Sequence, residues 1–184
     1  LAHRRALNQG GRPVVARIVP LGAAVAGIIV AVLAGLSSLA TREFFEGYAL
    51  VTAALIIAFV AYAPTHLARG ICSGQGRFAS YGIVMGADGF VRIVGCIVFR
   101  QMGITNVGAY AMLIALSPLT GVLVVWLRGD IKTTPGPVAP WSEVTPNLGW
   151  LLLGSLMGAG LVNAGPIAIN VLATDGQSEL VTAF

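Results

Sequence analysis

Asp88 and Arg92 sit four residues apart inside an otherwise apolar stretch, residues 78–99. On a helix that spacing brings two side chains together on one face. Ionised groups at membrane depth are expensive, so they face a bundle interior or a wet cavity and pair with a partner. Two chemistries follow. The residues can form a self-neutralised ion pair that holds one helix in register against its neighbour. Alternatively they line a polar cavity, where Arg92 binds an anionic group or Asp88 couples to a cation. A guanidinium can grip two oxyanion oxygens at once, which makes Arg92 the better ligand of the pair.

Three further residues extend the candidate set. Arg69 and Arg77 flank a short Gly-rich loop, residues 69–77. They can anchor anionic headgroups as topology determinants, or form a patch that receives a phosphate-bearing lipid head. Asn163, followed by Gly165-Pro166, is expected to interrupt a helix near mid-membrane. Backbone groups freed there can line a substrate site, or the proline simply kinks the helix.

Enzyme chemistry finds no foothold. His3 and His66 have no Cys, His or carboxylate at metal-ligand spacing. Gly74-Gln75-Gly76 and Gly158-Ala159-Gly160 lack the strand-turn-helix setting of a phosphate loop. The reading is a protein that is not an enzyme and has no catalytic residues, metal or cofactor. Cys72 and Cys96 are expected near opposite membrane faces, too far apart for a disulfide.

The elements that must position these residues are apolar spans. Of 184 residues, 57% are hydrophobic and only 10% charged, against roughly 25% charged in soluble domains. Mean hydropathy is +0.86. Both point to an all-α integral membrane protein, a polytopic helical bundle. Charge-free runs place transmembrane helices at about 18–40, 47–68, 78–99, 107–127 and 148–173, with a sixth starting at 180. Pro64 is expected to bend or end the second. Residues 128–147, rich in proline, read as a linker. Gly triplets such as Gly82, Gly86 and Gly89 suit close helix packing or hinging. Leu1 in place of Met, and a chain stopping at the start of a helix, lead us to expect a fragment of a longer protein.

Charge sets the orientation. Alternate crossings put residues 1–17, 69–77 and 128–147 on one side, with eight Lys and Arg residues among them. The other side collects only Arg42 and Arg100. By the positive-inside rule the first set is cytoplasmic. The net charge of +4 is then explained by topology, and no nucleic-acid partner is expected.

The pattern Arg69-Gly70, Gly74-Gln75-Gly76-Arg77-Phe78 and a following helix with Arg92 resembles a stretch of the polysaccharide-biosynthesis membrane proteins. These are lipid-linked oligosaccharide flippases of the multidrug/oligosaccharidyl-lipid/polysaccharide exporter superfamily. Val107-Gly108-Ala109, the Pro-containing linker, Asn163-Ala164-Gly165-Pro166 and Glu179-Leu180-Val181-Thr182-Ala183-Phe184 follow in the family's order. Where many members carry an Asp shortly after this Asn, the chain has Gly165-Pro166.

The resemblance implies a two-lobed exporter fold. Residues 1–127 would belong to the N-terminal lobe, 128–147 to a cytoplasmic linker and 148–184 to the start of the C-terminal lobe, matching helices three to eight. It implies flipping of an undecaprenyl-diphosphate-linked oligosaccharide across the cytoplasmic (inner) membrane by alternating access. Arg92, Asp88, Arg69, Arg77 and Asn163 would contact that substrate. Membrane lipids, the lipid-linked glycan and other polysaccharide-assembly membrane proteins are the expected partners. The alternatives are a cation-coupled multidrug exporter of the same superfamily and a membrane enzyme or scaffold of polysaccharide assembly.

Overall fold

Long apolar stretches without charge satisfy their backbone groups internally when water is absent, and the helix is the local way to do so. The computed structural model describes residues 1–172, apart from the side chains of 143, 144, 146, 147, 151, 152, 162, 163 and 165–172. Seven helices make up these residues: α1 (Ala2–Ala6), α2 (Arg12–Gly35), α3 (Ser37–Glu43), α4 (Ala49–Gly74), α5 (Phe78–Gln101), α6 (Val107–Leu127) and α7 (Trp141–Leu172). No strand occurs among them. Four, namely α2, α4, α5 and α6, are long and apolar enough to cross a membrane. The apolar part of α7 is shorter, Leu148–Leu161.

Several boundaries differ from the hydropathy reading. The stretch expected as one helix over 18–40 is two: α2 ends at Gly35, and α3 begins at Ser37 after a break at Leu36. Helix α4 runs through Pro64 and on to Gly74, so Arg69, Gly70 and most of the expected 69–77 loop are helical. Only Gln75, Gly76 and Arg77 separate α4 from α5. The expected linker over 128–147 is shorter too, because residues 141–147 already belong to α7. The backbone of α7 stays helical through Asn163 and Pro166, where an interruption was expected. The helix start expected at 180 lies outside the described residues.

The chain divides after Val138 into two units, the first holding α1–α6 and the second α7. Within the first, α6 packs on both α4 and α5, while α2 leans on α4. Ala68, Val84 and Val125 form a buried cluster, with Ile83, Val122 and Ile131 packed against it. A Cβ on Gly121 would lie 2.6 Å from the carbonyl oxygen of Val84, so the missing side chain sets how closely α5 and α6 approach. Gly82, Gly86 and Gly89, by contrast, face open space. The close-packing role belongs to a glycine outside the obvious triplet.

Helices α4, α5 and α6 end with the same device. A glycine at positive φ (Gly76, Gly103, Gly129) follows each. The next residue's N–H then returns to a carbonyl five positions earlier: Arg77 to Cys72 at 2.8 Å, Ile104 to Phe99 at 3.0 Å, and Asp130 to Val125 at 2.9 Å. This closes the orphan carbonyls of each last turn.

The three basic segments meet at one end of the first unit. Arg4, only 2% exposed, donates to the carbonyls of Gly10 (3.3 Å), Pro137 (2.8 Å) and Val138 (3.3 Å). The N–H of Arg12 reaches Thr134 O at 3.0 Å. Gln75 Nε2 donates to Lys132 O at 3.1 Å. At the opposite end Thr41 and Thr52 share a hydrogen bond of 2.6 Å, and Phe99 meets Tyr110 edge-on.

Candidate functional site

Midway along α5, Arg92 and Asp88 form the bidentate pair that their spacing predicts. Arg92 Nε donates to Asp88 Oδ1 at 2.9 Å and Nη2 to Oδ2 at 3.0 Å. Both neighbouring helices join in at their own midpoints. From α6, the Ser117 hydroxyl accepts from Arg92 Nε at 2.9 Å and donates to Asp88 Oδ1 at 2.6 Å. From α4, the Tyr62 hydroxyl accepts from Arg92 Nη2. The pair is therefore a knot tying three helices. Interhelical hydrogen bonds in membranes contribute roughly 0.6–2 kcal/mol each, so a knot of this kind holds register without a water-excluding core.

The knot is not sealed. Side-chain exposure is 32% for Arg92 and 21% for Asp88. Arg92 has five N–H donors, and Nη1 makes no hydrogen bond among the described residues. A part-exposed guanidinium with a spare donor can take an oxyanion without first giving up its carboxylate.

Arg69 lies seven residues beyond Tyr62 on α4. Its Nη2 donates to Tyr81 Oη on α5 at 3.1 Å, and its guanidinium lies 5.4 Å from the centre of that ring. Its Nε is buried and has no partner among the described residues. An unpaired buried donor costs about 1–3 kcal/mol. Between these points His66 stacks on Tyr62, with ring centres 5.8 Å apart and planes tilted by 31°. Ser117, Asp88, Arg92, Tyr62, His66, Arg69 and Tyr81 thus make a polar track. It runs from the middle of the unit towards the basic end, about 16 Å by helix rise from Arg92 to Tyr81.

Arg77 serves a different end. Its Nη1 donates to the carbonyls of Asp130 and Lys132. The Asp130 carboxylate is held by Ser80 Oγ at 2.8 Å and Arg128 Nε at 3.0 Å. Arg77 and Gln75 thus clasp the turn that follows α6, separate from the Arg92 track. The side chain of Asn163 lies outside the described residues.

Tyr62, Ser117 and Tyr81 are not among the residues singled out from the sequence, and His66 is weighed there only as a metal ligand. The signal available for two of them was spacing: Tyr62, His66 and Arg69 recur at four and three residues, one face of α4. No three His, Cys, Asp or Glu residues come together as a metal site among the described residues. An apolar hollow on α6, lined by Leu119, Thr120, Val122, Leu123 and Trp126, contains none of the track residues. Comparison with family models, with curated proteins and with solved structures gives no match to this chain.

Proposed function

We propose that the chain is part of a membrane transporter that moves the anionic head of a lipid-linked oligosaccharide across the cytoplasmic membrane by alternating access. The lipid would carry an undecaprenyl diphosphate, as the resemblance of the Arg69–Arg92 stretch to the oligosaccharide flippases implies. The observation that carries the reading is the part-exposed Arg92, held at mid-helix with an unspent donor. A face bearing Asp88, Arg92, His66 and Arg69 is too costly to leave against lipid tails, which favours a wet cavity there. Arg69, beside Tyr81, receives the diphosphate nearer the basic end.

The work asked of these residues is electrostatic. Guanidinium groups neutralise phosphate oxygens, tyrosine hydroxyls accept sugar hydrogen bonds, and no bond is made or broken. In this reading the protein is not an enzyme.

The test is deletion of the gene in its host, followed by mass spectrometry of lipid-linked glycans. Accumulation of one diphosphate-linked intermediate on the cytoplasmic side is expected, and restoring the wild-type gene but not Arg92→Ala clears it. Unchanged intermediates with new sensitivity to cationic drugs would transfer the assignment to a cation-coupled exporter. Shortened glycans would transfer it to an enzyme of assembly.

A further inference from the structure

We propose that His66 makes anion binding on the α4–α5 face proton-linked, so that an oxyanion held between Arg92 and Arg69 binds more tightly when the imidazole is protonated. The inference rests on the reading of that face as an anion site.

His66 is exposed on α4, one turn from Tyr62 and three residues from Arg69. Tyr62 is the residue that receives Arg92, so the imidazole stands between the two guanidinium groups along the helix. Guanidinium groups as a class stay charged, and imidazole is the side chain whose unperturbed charge changes between about pH 5 and 8. With His66 neutral, the track holds Asp88 against Arg92 and Arg69 and has a net charge of one positive. Protonation adds a second uncompensated positive charge, about 4.5 Å of helix rise from Arg69 and about 6 Å from Tyr62, the residue that receives Arg92.

Like charges gathered this way repel one another, and an oxyanion seated among them removes the repulsion. Proton and anion therefore favour each other's binding, and the linkage is reciprocal. The other ionisable groups around His66 act in fixed directions. On α4 these are Tyr62 and Arg69; on α5 they are Tyr81, Asp88 and Arg92. Helix α6 brings the neutral hydroxyl of Ser117; of the other helices that pack on α4, α2 carries Arg12 and Arg17 in its first turns, α1 carries His3, Arg4 and Arg5, and α3 carries Arg42 and Glu43 at the opposite end. No carboxylate other than Asp88 lies on this track, and Asp88 is already committed to Arg92 and Ser117.

The experiment is calorimetric titration of the full chain in uncharged lipid nanodiscs, with two probes whose own charge is constant over the range: inorganic sulfate and a short-chain phosphatidylglycerol. We expect about tenfold tighter binding near pH 5 than near pH 8. Proton uptake on binding should be detected by repeating the titration in buffers of different ionisation enthalpy. A response to sulfate assigns the site to free oxyanions, and a response to the lipid alone assigns it to headgroups. Both support the linkage.

His66→Gln should bind equally at the two pH values, and His66→Arg should bind tightly at both. Wild-type binding that ignores pH, or a pH dependence that survives in His66→Gln, overturns the linkage while leaving the anion site in place. Absence of binding at either pH removes the anion site and the linkage with it. Histidine NMR of His3→Gln, which leaves His66 as the single imidazole, gives an independent reading. A His66 signal that does not titrate over the range overturns the proposal.

Discussion

The hydroxyl of Ser117 lies 2.6 Å from Asp88 Oδ1, and this fastens α6, a helix without a single charged residue, to the charged pair on α5. Ser117→Ala leaves Asp88 bonded to Arg92 and Arg92 bonded to Tyr62 but cuts the tie to α6. We expect a loss of about 1 kcal/mol in stability, read as a lower thermal midpoint in detergent. Ser117→Thr keeps the hydroxyl and should lie close to wild type. An Ala variant as stable as wild type would mean that packing alone holds α6.

The ion pair has a structural and a transport role, and exchanging its charges separates them. Asp88→Arg combined with Arg92→Asp preserves an i, i+4 pair on the same face. The exchanged protein should fold and reach the membrane at near-normal levels, because charge balance is kept. It should fail to clear the accumulated lipid intermediate, because the guanidinium has moved a full turn along α5. Full transport by the exchanged protein would reduce the pair to a register device.

Arg77 and Arg69 should behave in opposite ways. Arg77→Ala frees the carbonyls of Asp130 and Lys132, so hydrogen exchange should rise in the turn after α6, while sulfate affinity changes less than about twofold. Arg69→Ala should weaken anion binding by tenfold or more, about 1.4 kcal/mol or above, and leave exchange in that turn unchanged. If Arg77→Ala lost the anion and kept the turn intact, the assignments would be reversed.

Sidedness can be read with thiol labelling. In a background with Cys72 and Cys96 replaced by Ala, Lys132→Cys lies at the basic end and Thr105→Cys between α5 and α6. A membrane-impermeant maleimide added to intact cells should label position 105 and reach position 132 only after lysis. Labelling of position 132 from outside would invert the topology drawn from the Arg and Lys distribution.

How much of this was legible beforehand depends on the kind of signal. Uncharged runs of about twenty residues identify spans, and residues 107–127 coincide with α6. The α4 boundary was missed because Arg69 and the three glycines beyond it look like a loop, whereas the helix continues to Gly74 and closes on Gly76. Asp88 and Arg92 were found because charge inside an apolar run is rare. Tyr62 and Ser117 were not, since a lone hydroxyl on an apolar helix has no periodicity of its own. Which helix meets Arg92 is decided by tertiary packing. Arg77 resembled Arg69 by composition, and only the fold shows that one guanidinium grips backbone while the other keeps a buried nitrogen unpaired.

The grip of Arg4 on Pro137 and Val138 spans a sequence separation of 133 and 134 residues. Such a contact cannot form while the ribosome is still adding α4, α5 or α6, because its acceptors have not yet been made. During synthesis Arg4 has the nearby carbonyl of Gly10 within reach but not its two distant acceptors, while helices made after it insert and pair. Closure of the basic end is thus a late event in biogenesis, and it depends on the far edge of the same unit. A released chain truncated before residue 137 should insert its helices yet leave residues 1–17 open to protease.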